Sequence, residues 1–573
     1  MNNETLKQYM MKFSISQLKG YLGQDLIDSL LEWNNGVEGF LSKSRLSEMA
    51  ICVHGLGLLK DKEFRRSLIG SMPEDVVKGF TAYLPHSDST DLKQLAIDVS
   101  NAGWKKSDVN DYFLRMLGYS SEDVFEKKEE VGESVETIES FDKFYELLDY
   151  QYIIRQRALN ILTSPYGLRR FLIHMPTGTG KTKTATHIIC HHYNYNLHKK
   201  GLVIWIAHTS ELLQQAYDTF KGVWKNIGNG SINMYKLWGD YNIEEDVDLN
   251  GFMVCGIQKL QSINNNDPEL LNKLISNARL IVYDEAHKAS APETRQVVEK
   301  FMVRSENSED RALMGLSATP GKTTEDSFDN QLLVSMFGNK IIEIDTKLMN
   351  AVNMSAQEAI NTPAEKDVIR YFQNRGVLSK IKKEELVYEE GLSDAEINKI
   401  RIVATANGYD DFSKTVLEKI GKNKSRNLRI MQRLRELNRD KIPTIVFACS
   451  VQHGQLLSAM LTLEDIPNAL VIGNMSPKER AESIKKFKDR EDDLNILINY
   501  EVLTTGFDAT NIECVFIARP TQSVVLYSQM LGRGLRGPQM GGNEECLLID
   551  VKDNLKQFNE NMAFSHFANY WNQ

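Results

Sequence analysis

The sequence lacks the features that would place it in a membrane or in an oxidising compartment. No apolar run is long enough to span a bilayer, and residues 1–13 have no long apolar core of the kind that an export signal carries. The six cysteines are scattered along the chain without a CxxC pair, which argues against a disulfide framework and a structural zinc site. We therefore expect no membrane insertion and a cytoplasmic location.

The sequence also lacks an excess of basic residues. Its 68 Lys and Arg residues stand against 77 Asp and Glu residues, which gives a formal net charge of -9 at pH 7. This balance excludes a protein coated with basic surface, so any contact with nucleic acid must be confined to a local groove. The 573 residues, with 42% hydrophobic composition, are enough for about three or four domains with buried cores.

Hydrophobic patterning divides the chain into regions. Residues 1–118 carry apolar residues at helical spacing and predict a helical accessory domain. Residues 119–140 are rich in Glu, Lys and Ser, which predicts a charged linker. Short apolar runs then alternate with helical stretches, as is typical of parallel sheets wrapped by helices. We expect an α/β fold with two such lobes, residues 141–345 and 441–573, separated by a charged and largely helical interlobe region, residues 346–440.

The strongest local signal is the segment Met175–Thr182, MPTGTGKT, which lies between a strand-like run and a helix-like stretch. A glycine-containing loop at a helix amino terminus presents backbone N–H groups to phosphates, while a lysine adds charge and a threonine hydroxyl can bind magnesium. Met175 stands where the P-loop consensus has its first glycine. We expect the nucleotide to contact Thr177, Gly178, Thr179, Gly180, Lys181 and Thr182, with Thr182 also binding magnesium.

Two carboxylates follow another apolar run. Asp284 and Glu285 come at the end of LIVY, where a strand should terminate at the ligand edge of a parallel sheet. We expect Asp284 to hold magnesium and Glu285 to orient or deprotonate the attacking water. An acidic strand end in solvent is the alternative, and the P-loop upstream argues against it.

With these two motifs and others in order, the chain resembles superfamily 2 helicases and translocases from about Tyr150 to Arg536. The resemblance implies two RecA-like lobes that bind ATP and Mg²⁺. It also implies that Gln151, in Asp149-Tyr-Gln, reads adenine, and Gln156 is an alternative for this role.

The same resemblance assigns roles along both lobes. Thr209 and Ser210 in AHTSEL and Thr505 in TTGFD are expected to touch nucleic acid, and Gly256–Lys259 is a weaker candidate of this kind. Ser317 and Thr319 in LSATP are expected to couple the phosphate state to the lobes. The remaining matches are Ile445–Ala448 in the second lobe, and Gly506 and Asp508, which are expected at the nucleotide.

The segment QMLGRGLR provides the last motif, with Gln529, Arg533 and Arg536. We expect closure of the lobes to bring both arginines to the γ-phosphate, because positive charge there stabilises the transition state. Arginines on a solvated helix end are the alternative for isolated residues. Lys181, Asp284, Glu285, Gln529, Arg533 and Arg536 are thus the expected catalytic set.

The GRGLR form of the last motif resembles the helicase subunits of type III restriction enzymes and related repair or phage-defence translocases. The resemblance favours DNA over RNA, and it implies an ATP-dependent DNA helicase or translocase. Two alternatives stay open: an ATP-switched nucleic-acid sensor whose helical domain recruits a protein partner, and an RNA helicase.

Three further features receive other interpretations. His187, Cys190 and His191 have the spacing of metal ligands on one helix face, but we favour packing of this helix against the sheet. The charged stretch Ser379–Glu390 predicts a solvated helix or an interlobe insertion. The basic stretch Lys422–Arg439 is expected either near nucleic acid or as the amphipathic helix that joins the lobes.

Overall fold

The structure is a computed structural model. It describes residues 3–34, 36, 39, 41–84, 91–125, 133–141, 145–244, 247–303, 311–321, 328–346, 349, 368–388, 411–504, 511–521 and 523–551. Among the helices of these residues, none combines the length and the apolar composition needed to cross a bilayer.

The amino-terminal region is helical, as predicted. Polar caps define several helix starts: Ser14 and Gln17 form a capping box, and the Ser42 and Asp61 side chains accept hydrogen bonds from backbone N–H groups of the first turn. The helices are α1 Glu4–Met10, α2 Ile15–Leu22, α3 Gln24–Trp33, α4 Lys43–His54, α5 Lys62–Gly70, α6 Glu74–Gly79, α7 Leu92–Asn101, α8 Asp108–Met116 and α9 Ser121–Val124.

Lobe 1 is an eight-stranded sheet in the order β1-β4-β5-β3-β6-β7-β2-β8. Its strands are β1 Val135–Ile138, β2 Arg170–His174, β3 Leu202–Ala207, β4 Ile232–Leu237, β5 Gly251–Gly256, β6 Ala278–Asp284, β7 Ala312–Ser317 and β8 Ile341–Ile342. Only β1 runs antiparallel to its neighbour among these strands. The central strands β3, β5 and β7 are buried along their whole length, because helices cover both faces of a parallel sheet.

The helices of lobe 1 are α10 Asp149–Thr163, α11 Lys181–His191, α12 Ser210–Ile227, α13 Ile257–Asn266, α14 Pro268–Asn277, α15 Pro292–Met302 and α16 Phe328–Met336. Helix α11 packs between α10 and α12. This places the amino termini of successive helices at the carboxyl edge of the sheet, where ligands bind in open α/β folds.

Lobe 2 is a six-stranded, all-parallel sheet in the order β11-β12-β10-β13-β14-β9. Its strands are β9 Lys380–Leu386, β10 Thr444–Phe447, β11 Asn468–Val471, β12 Ile496–Asn499, β13 Cys514–Ile517 and β14 Glu545–Val551. The helices after lobe 1 are α17 Val368–Asn374, α18 Lys414–Gly421, α19 Lys424–Arg439, α20 Val451–Leu463, α21 Pro477–Asp489 and α22 Val524–Leu531. The predicted α/β fold with two parallel-sheet lobes and a helical amino-terminal region is confirmed.

Two charged stretches differ from the prediction. The helix expected within Ser379–Glu390 is wrong for its described part, because Lys380–Leu386 form β9 and pair in register with β14. Its Lys and Glu residues suit an exposed sheet edge, where charge prevents pairing with other chains. Within the expected charged linker, Val135–Ile138 form β1 and pair with β4.

The basic helix α19 belongs to the core of lobe 2. Ile430 and Leu434 on one face are fully buried. On the other face, Arg433 donates to both carboxylate oxygens of Glu384 on β9, each at 2.8 Å. The amphipathic alternative therefore describes this helix, and at least part of its charge is used within the protein.

The amino-terminal helices pack directly on lobe 2. Helices α3 and α4 lie against α20, and the apolar side chains of both regions form one continuous core. Cys52 Sγ lies 3.0 Å from Ser458 Oγ, and Arg45 pairs with Asp465 at 3.1 Å. Lys478 forms an ion pair with Asp123 at the other end of the contact. The accessory domain and lobe 2 therefore form one packed unit.

Candidate nucleotide site

The P-loop connects β2 to α11 at the carboxyl edge of the lobe 1 sheet. Gly178 and Gly180 have φ angles of 87° and 79°, which other residues adopt only with strain. The Thr179 side chain is buried, and its Oγ1 donates to Pro176 O at 2.8 Å. Helix α11 begins at Lys181, so that the free N–H groups of its first turn face the loop.

Gln151 holds the P-loop in place from helix α10. Its side chain is 1% exposed, and its Nε2 donates to Thr179 O at 3.0 Å while its Oε1 accepts from Leu148 N at 3.0 Å. A Cβ atom at Gly180 would lie 2.4 Å from Gln151 Nε2. Both ends of the amide are therefore used within the protein, and adenine reading by Gln151 stays a prediction. Gln156 lies more than one turn further along the same helix.

The two carboxylates lie at the end of β6, which is adjacent to β3 and β7. Asp284 is buried, and the Glu285 N–H donates to its Oδ1 at 2.9 Å. Burial and the neighbouring Glu285 raise the pKa of Asp284 to about 7. Such a buried carboxylate favours a positive partner, because neutralisation removes the cost of its burial.

Glu285 experiences the opposite balance. Burial raises its pKa, but the positive charges of Lys181, His287, Lys288 and Arg533 outweigh this effect and lower the pKa. One of these four charges, Arg533, comes from lobe 2. The pKa values of the two adjacent carboxyls are thus shifted in opposite directions, as is typical of sites where two carboxyls have different roles.

Ser317 and Thr319 connect the carboxylates to the P-loop. Ser317 Oγ donates to Thr319 O at 2.6 Å and lies 3.3 Å from His287 Nδ1, and the His287 ring lies 3.4 Å from Glu285 Oε2. The Met175 N–H donates to Ser317 O at 3.2 Å. Close contacts thus run from Glu285 through His287 and Ser317 to Met175 at the start of the P-loop.

The arginine loop, defined here as residues 529–543 from the last turn of helix α22 onward, lies on the P-loop. A Cβ atom at Gly178 would lie 3.7 Å from Arg536 Cγ, and one at Gly532 would lie 2.6 Å from Thr177 Cγ2. Arg533 Nε donates to Gln529 O at 3.2 Å in the last turn of α22. The structure thus brings Lys181, Asp284 and Glu285 of lobe 1 together with the loop that carries Gln529, Arg533 and Arg536.

A cleft of about 540 Å³ opens beside the P-loop helix, between α10 and α11. Lys183 Nζ lies 4.3 Å from the centroid of the Tyr145 ring and donates to Glu146 O at 2.7 Å. The His187 ring stacks on Tyr145 with centroids 5.7 Å apart, and Arg155 also lines the cleft. Sequence reasoning missed Tyr145 and Lys183, because they come together only where the segment before α10 folds onto the first turn of α11. A lysine directly after the GKT triplet was the available signal.

The histidines of α11 pack against neighbouring aromatic rings. His187 stacks on Tyr145, and the ring centroid of His191 lies 4.9 Å from that of Tyr195. No group of three or more His, Cys, Asp or Glu side chains is arranged as a metal site within the described ranges.

The predicted strand-contact residues of lobe 1 begin helix α12. Thr209 caps the helix, with its Oγ1 accepting from Leu212 N at 3.4 Å, and Ser210 is exposed. His208, which precedes Thr209, has its Nε2 atom 2.7 Å from the hydroxyl oxygen of Tyr283. Tyr283 is the residue directly before Asp284. Glu211, which follows Ser210, pairs across the lobes with Arg480 at 3.0 Å. Thr505, Gly506 and Asp508 lie outside the described residues, so their predicted contacts stay predictions.

Two family descriptions match this chain. "Type III restriction enzyme, res subunit" matches residues 144–322, and "Helicase conserved C-terminal domain" matches residues 426–537. IRC3 of Saccharomyces cerevisiae, named as an ATP-dependent helicase, is 25% identical over 415 residues, which cover 70% of this chain and 51% of the yeast protein. The irc3 protein of Schizosaccharomyces pombe, named as a mitochondrial ATP-dependent helicase, is 25% identical over 396 residues, or 68% and 55% of the two chains. The chain thus spans about half the length of these curated relatives.

Among solved structures, a fragment named for the HsdR subunit of a type I restriction enzyme of Vibrio vulnificus is similar to this chain. The TM-score is 0.45 with 20% sequence identity, covering 71% of this chain and 64% of the fragment.

Proposed function

Because the chain belongs to the superfamily 2 helicases, in the branch of the type III restriction subunits, we propose that it is an ATP-driven motor on DNA. Families of this kind use ATP, generally with Mg²⁺. The proposed activity is a helicase or translocase in which hydrolysis between the two lobes drives movement along nucleic acid.

The observation that carries this proposal is the seating of the arginine loop on the P-loop. Thr177 and Gly178 of lobe 1 contact Gly532 and Arg536 of lobe 2, and the charge of Arg533 acts on Glu285. A phosphate-binding site completed by a second lobe couples nucleotide state to the relative position of the lobes.

We assign the following roles to the chain's residues. Lys181 and the first N–H groups of α11 would bind the β- and γ-phosphates. Glu285 would orient and deprotonate the attacking water, and Arg533 and Arg536 would stabilise the charge that develops on the γ-phosphate oxygens. Gln529 would help to place Arg533, because its carbonyl accepts from Arg533 Nε.

The donor set suits a magnesium ion. Thr182 offers a hydroxyl oxygen and Asp284 a buried carboxylate, and both are hard oxygen ligands of the kind that Mg²⁺ prefers. When bound with ATP, the ion would supply charge neutralisation between the phosphates.

The adenine base is assigned to the mouth of the cleft beside α11. Tyr145 lies there between the His187 ring and the Lys183 ammonium and keeps 40% of its surface exposed, so that a planar base would pack against its exposed part. Gln151, the residue that the family resemblance assigns to adenine, would act by fixing the P-loop through Thr179 O.

Nucleic acid would cross both lobes above this site. We propose contacts to Thr209 and Ser210 of lobe 1 and Thr505 of lobe 2, with Ser317 and Thr319 coupling them to the nucleotide. DNA is favoured over RNA because the GRGLR motif and the match to the type III restriction family point the same way. Affinity should fall with salt concentration.

The rest of the molecule supports further assignments. We propose the same domain division as the sequence suggests, with Val135–Ile138 and Lys380–Leu386 joined to the neighbouring sheets. The amino-terminal helices would carry any protein partner along with lobe 2, since they share its core. We also propose a cytoplasmic location, because six scattered cysteines without a CxxC pair fit a reducing compartment.

The test is an ATP hydrolysis assay with single-stranded, duplex and forked DNA and with RNA, followed by displacement of a labelled strand or a bound protein block. We expect DNA to stimulate turnover and ATP to drive directional displacement. Stimulation by RNA but not by DNA would identify the RNA helicase instead. Slow turnover with stable complex formation and no displacement would identify the sensor and end the motor proposal.

A further inference from the structure

A short segment of the chain reaches from lobe 1 to lobe 2 beside the candidate nucleotide site. We call Val368–Leu386 the brace. Its helix α17 packs into lobe 1, where the Phe372 and Tyr150 rings meet edge to face with centroids 4.8 Å apart. Arg375, directly after the helix, donates to Asp149 Oδ2 at 2.7 Å and to the Tyr371 hydroxyl at 2.5 Å. The brace is therefore anchored on the helix that supports the P-loop.

The other end of the brace is part of lobe 2. Strand β9 pairs with β14, and the Ser379 N–H donates to Leu535 O at 2.9 Å. Ser379 is fully buried, and its Oγ lies 2.6 Å from Arg536 O and 2.7 Å from Asn543 O. Two backbone carbonyls that bracket the turn of the arginine loop thus converge on one hydroxyl group.

The backbone of the brace binds the same loop. The N–H of Gly537 donates to Val377 O at 3.0 Å, and the N–H of Gln539 donates to Gly376 O at 2.9 Å. Between these bonds, Leu378 presses on the P-loop: a Cβ atom at Gly178 would lie 3.3 Å from Leu378 Cδ2. Four consecutive residues, 376–379, therefore contact both the loop that binds phosphate and the loop that carries the arginines.

We propose that the brace sets the position of Arg536 relative to the P-loop, with Ser379 and Arg375 as positioning residues for phosphoryl transfer. The inference rests on the proposed function. Neither residue needs to touch the nucleotide. Ser379 fixes the backbone of the arginine loop, and Arg375 fixes the brace to the helix of Gln151. A misplaced transition-state contact costs rate far more than it costs substrate binding.

The first test replaces Ser379 by alanine. We expect Ser379→Ala to lower kcat for DNA-stimulated ATP hydrolysis about tenfold, which corresponds to about 1.4 kcal/mol, while KM for ATP changes less than about twofold. Ser47→Ala is the matched control, because Ser47 is also fully buried and donates to one carbonyl, Lys43 O at 2.8 Å, in the amino-terminal domain. An unchanged kcat in Ser379→Ala, or an equal loss in the Ser47 control, would overturn the proposal.

The second test asks whether Ser379 acts through Arg536. In an Arg536→Ala background, Ser379→Ala should change the residual kcat by less than about twofold, because no charged side chain is left at position 536 to be placed. Arg375→Gln should reduce kcat in the wild-type background, and Arg375→Lys should recover most of it by keeping the charge beside Asp149. Additive losses in the double variant would show a merely structural effect and refute the assignment.

The third test needs no turnover. Hydrogen exchange should speed up at the amides of Gly537 and Gln539 in Ser379→Ala, while strand β10 keeps wild-type protection. Unchanged exchange in the arginine loop would overturn the inference even in an active protein. Faster exchange in a protein that hydrolyses no ATP would retain the brace and reject the motor, so the two failures are distinguishable.

Discussion

Lobe 2 packs against the amino-terminal helices and against lobe 1, and these two contacts are built differently. Towards the amino terminus, α4 lies along α20, and side chains such as Met49 and Leu457 are fully buried in one shared core. Towards lobe 1, the contacts are made by loops: Gly178 meets Leu378 and Arg536, and Thr177 meets Gly532. The first contact packs helix faces over a broad apolar surface. The second brings loops together at glycines, and buried apolar side chains of both lobes, with Leu378 and Leu535 among them, also belong to one cluster.

We expect the helical contact to contribute mainly to stability and the loop contact mainly to ATP hydrolysis. Burial of apolar surface is the main favourable term in folding, so the helical contact should hold the accessory domain on lobe 2 throughout any cycle. A contact made by loops can open and close more readily than packed helix faces, as a catalytic joint requires. Substitutions at the loop contact should therefore change turnover with little effect on stability, and substitutions at the helical contact should do the reverse.

The largest effect is expected for Arg536→Ala at the loop contact. We expect kcat to fall roughly 10³- to 10⁵-fold, because an arginine that stabilises the transferring phosphoryl group contributes a factor of this size. Binding of a non-hydrolysable ATP analogue should change only about threefold, and the melting temperature by about 1 °C or less. Steady-state hydrolysis, analogue titration and thermal unfolding measure the three quantities. Arg439→Ala is the control, since the Arg439 side chain is 74% exposed in the same lobe. Equal losses in kcat and in ATP affinity in Arg536→Ala would contradict the proposed role of Arg536.

Glu285→Gln should follow, with a fall in kcat of roughly 10²- to 10⁴-fold, the usual contribution of a general base. The amide keeps the shape of the side chain but cannot take a proton from water. ATP binding should persist, because repulsion at the paired Asp284 is removed. Single-turnover hydrolysis and analogue binding separate the two effects. Glu299→Gln changes an exposed carboxylate of the same lobe and should leave kcat unchanged. Wild-type-like turnover in Glu285→Gln would remove Glu285 from the catalytic set.

The parts of the site that sequence alone predicted are contiguous in the chain. Met175–Thr182 and Asp284–Glu285 each occupy one strand end, and a local pattern of glycines, lysine and carboxylates is enough to recognise them. The two-lobe fold was also predictable, because buried parallel strands such as β3 and β5 read as uninterrupted apolar runs.

The parts that sequence did not predict depend on contacts between distant segments. Strand β9 is rich in Lys and Glu and reads as a solvated helix, and only its pairing with β14 makes it a strand. Ser379 is a single hydroxyl in that charged stretch, and its role emerges only where Arg536 O and Asn543 O converge on it. Tyr145 and Lys183 likewise meet only where the segment before α10 folds onto the first turn of α11.

At the helical contact, Met49→Ala should destabilise the protein by about 2–5 kcal/mol, the cost of removing a buried methionine side chain and leaving a cavity. Met49 is fully buried and lies between Arg45 and Cys52 on the face of α4 that meets lobe 2. Denaturant unfolding should show the loss, while kcat per folded molecule stays within about twofold. Met11→Ala, at a residue that is 42% exposed, is the same substitution without burial and should cost less than about 0.5 kcal/mol. A large fall in kcat for Met49→Ala would contradict the expectation that the helical contact affects stability and not turnover.

The smallest effect is expected where the lobes are joined by an ion pair alone. Glu211 and Arg480 are 3.0 Å apart, with side chains 46% and 20% exposed, and such a pair contributes at most about 1 kcal/mol. Glu211→Gln should therefore leave the melting temperature within about 1 °C. Because Glu211 follows the predicted strand-contact residues Thr209 and Ser210, loss of its charge should tighten binding of single-stranded DNA about two- to fivefold at low salt, and the gain should fade as salt screens the phosphates. Glu293→Gln removes an exposed charge elsewhere on lobe 1 and should leave affinity unchanged. Fluorescence anisotropy across a salt series distinguishes the two variants, and equal affinity in both would show that the nucleic-acid path does not pass this joint.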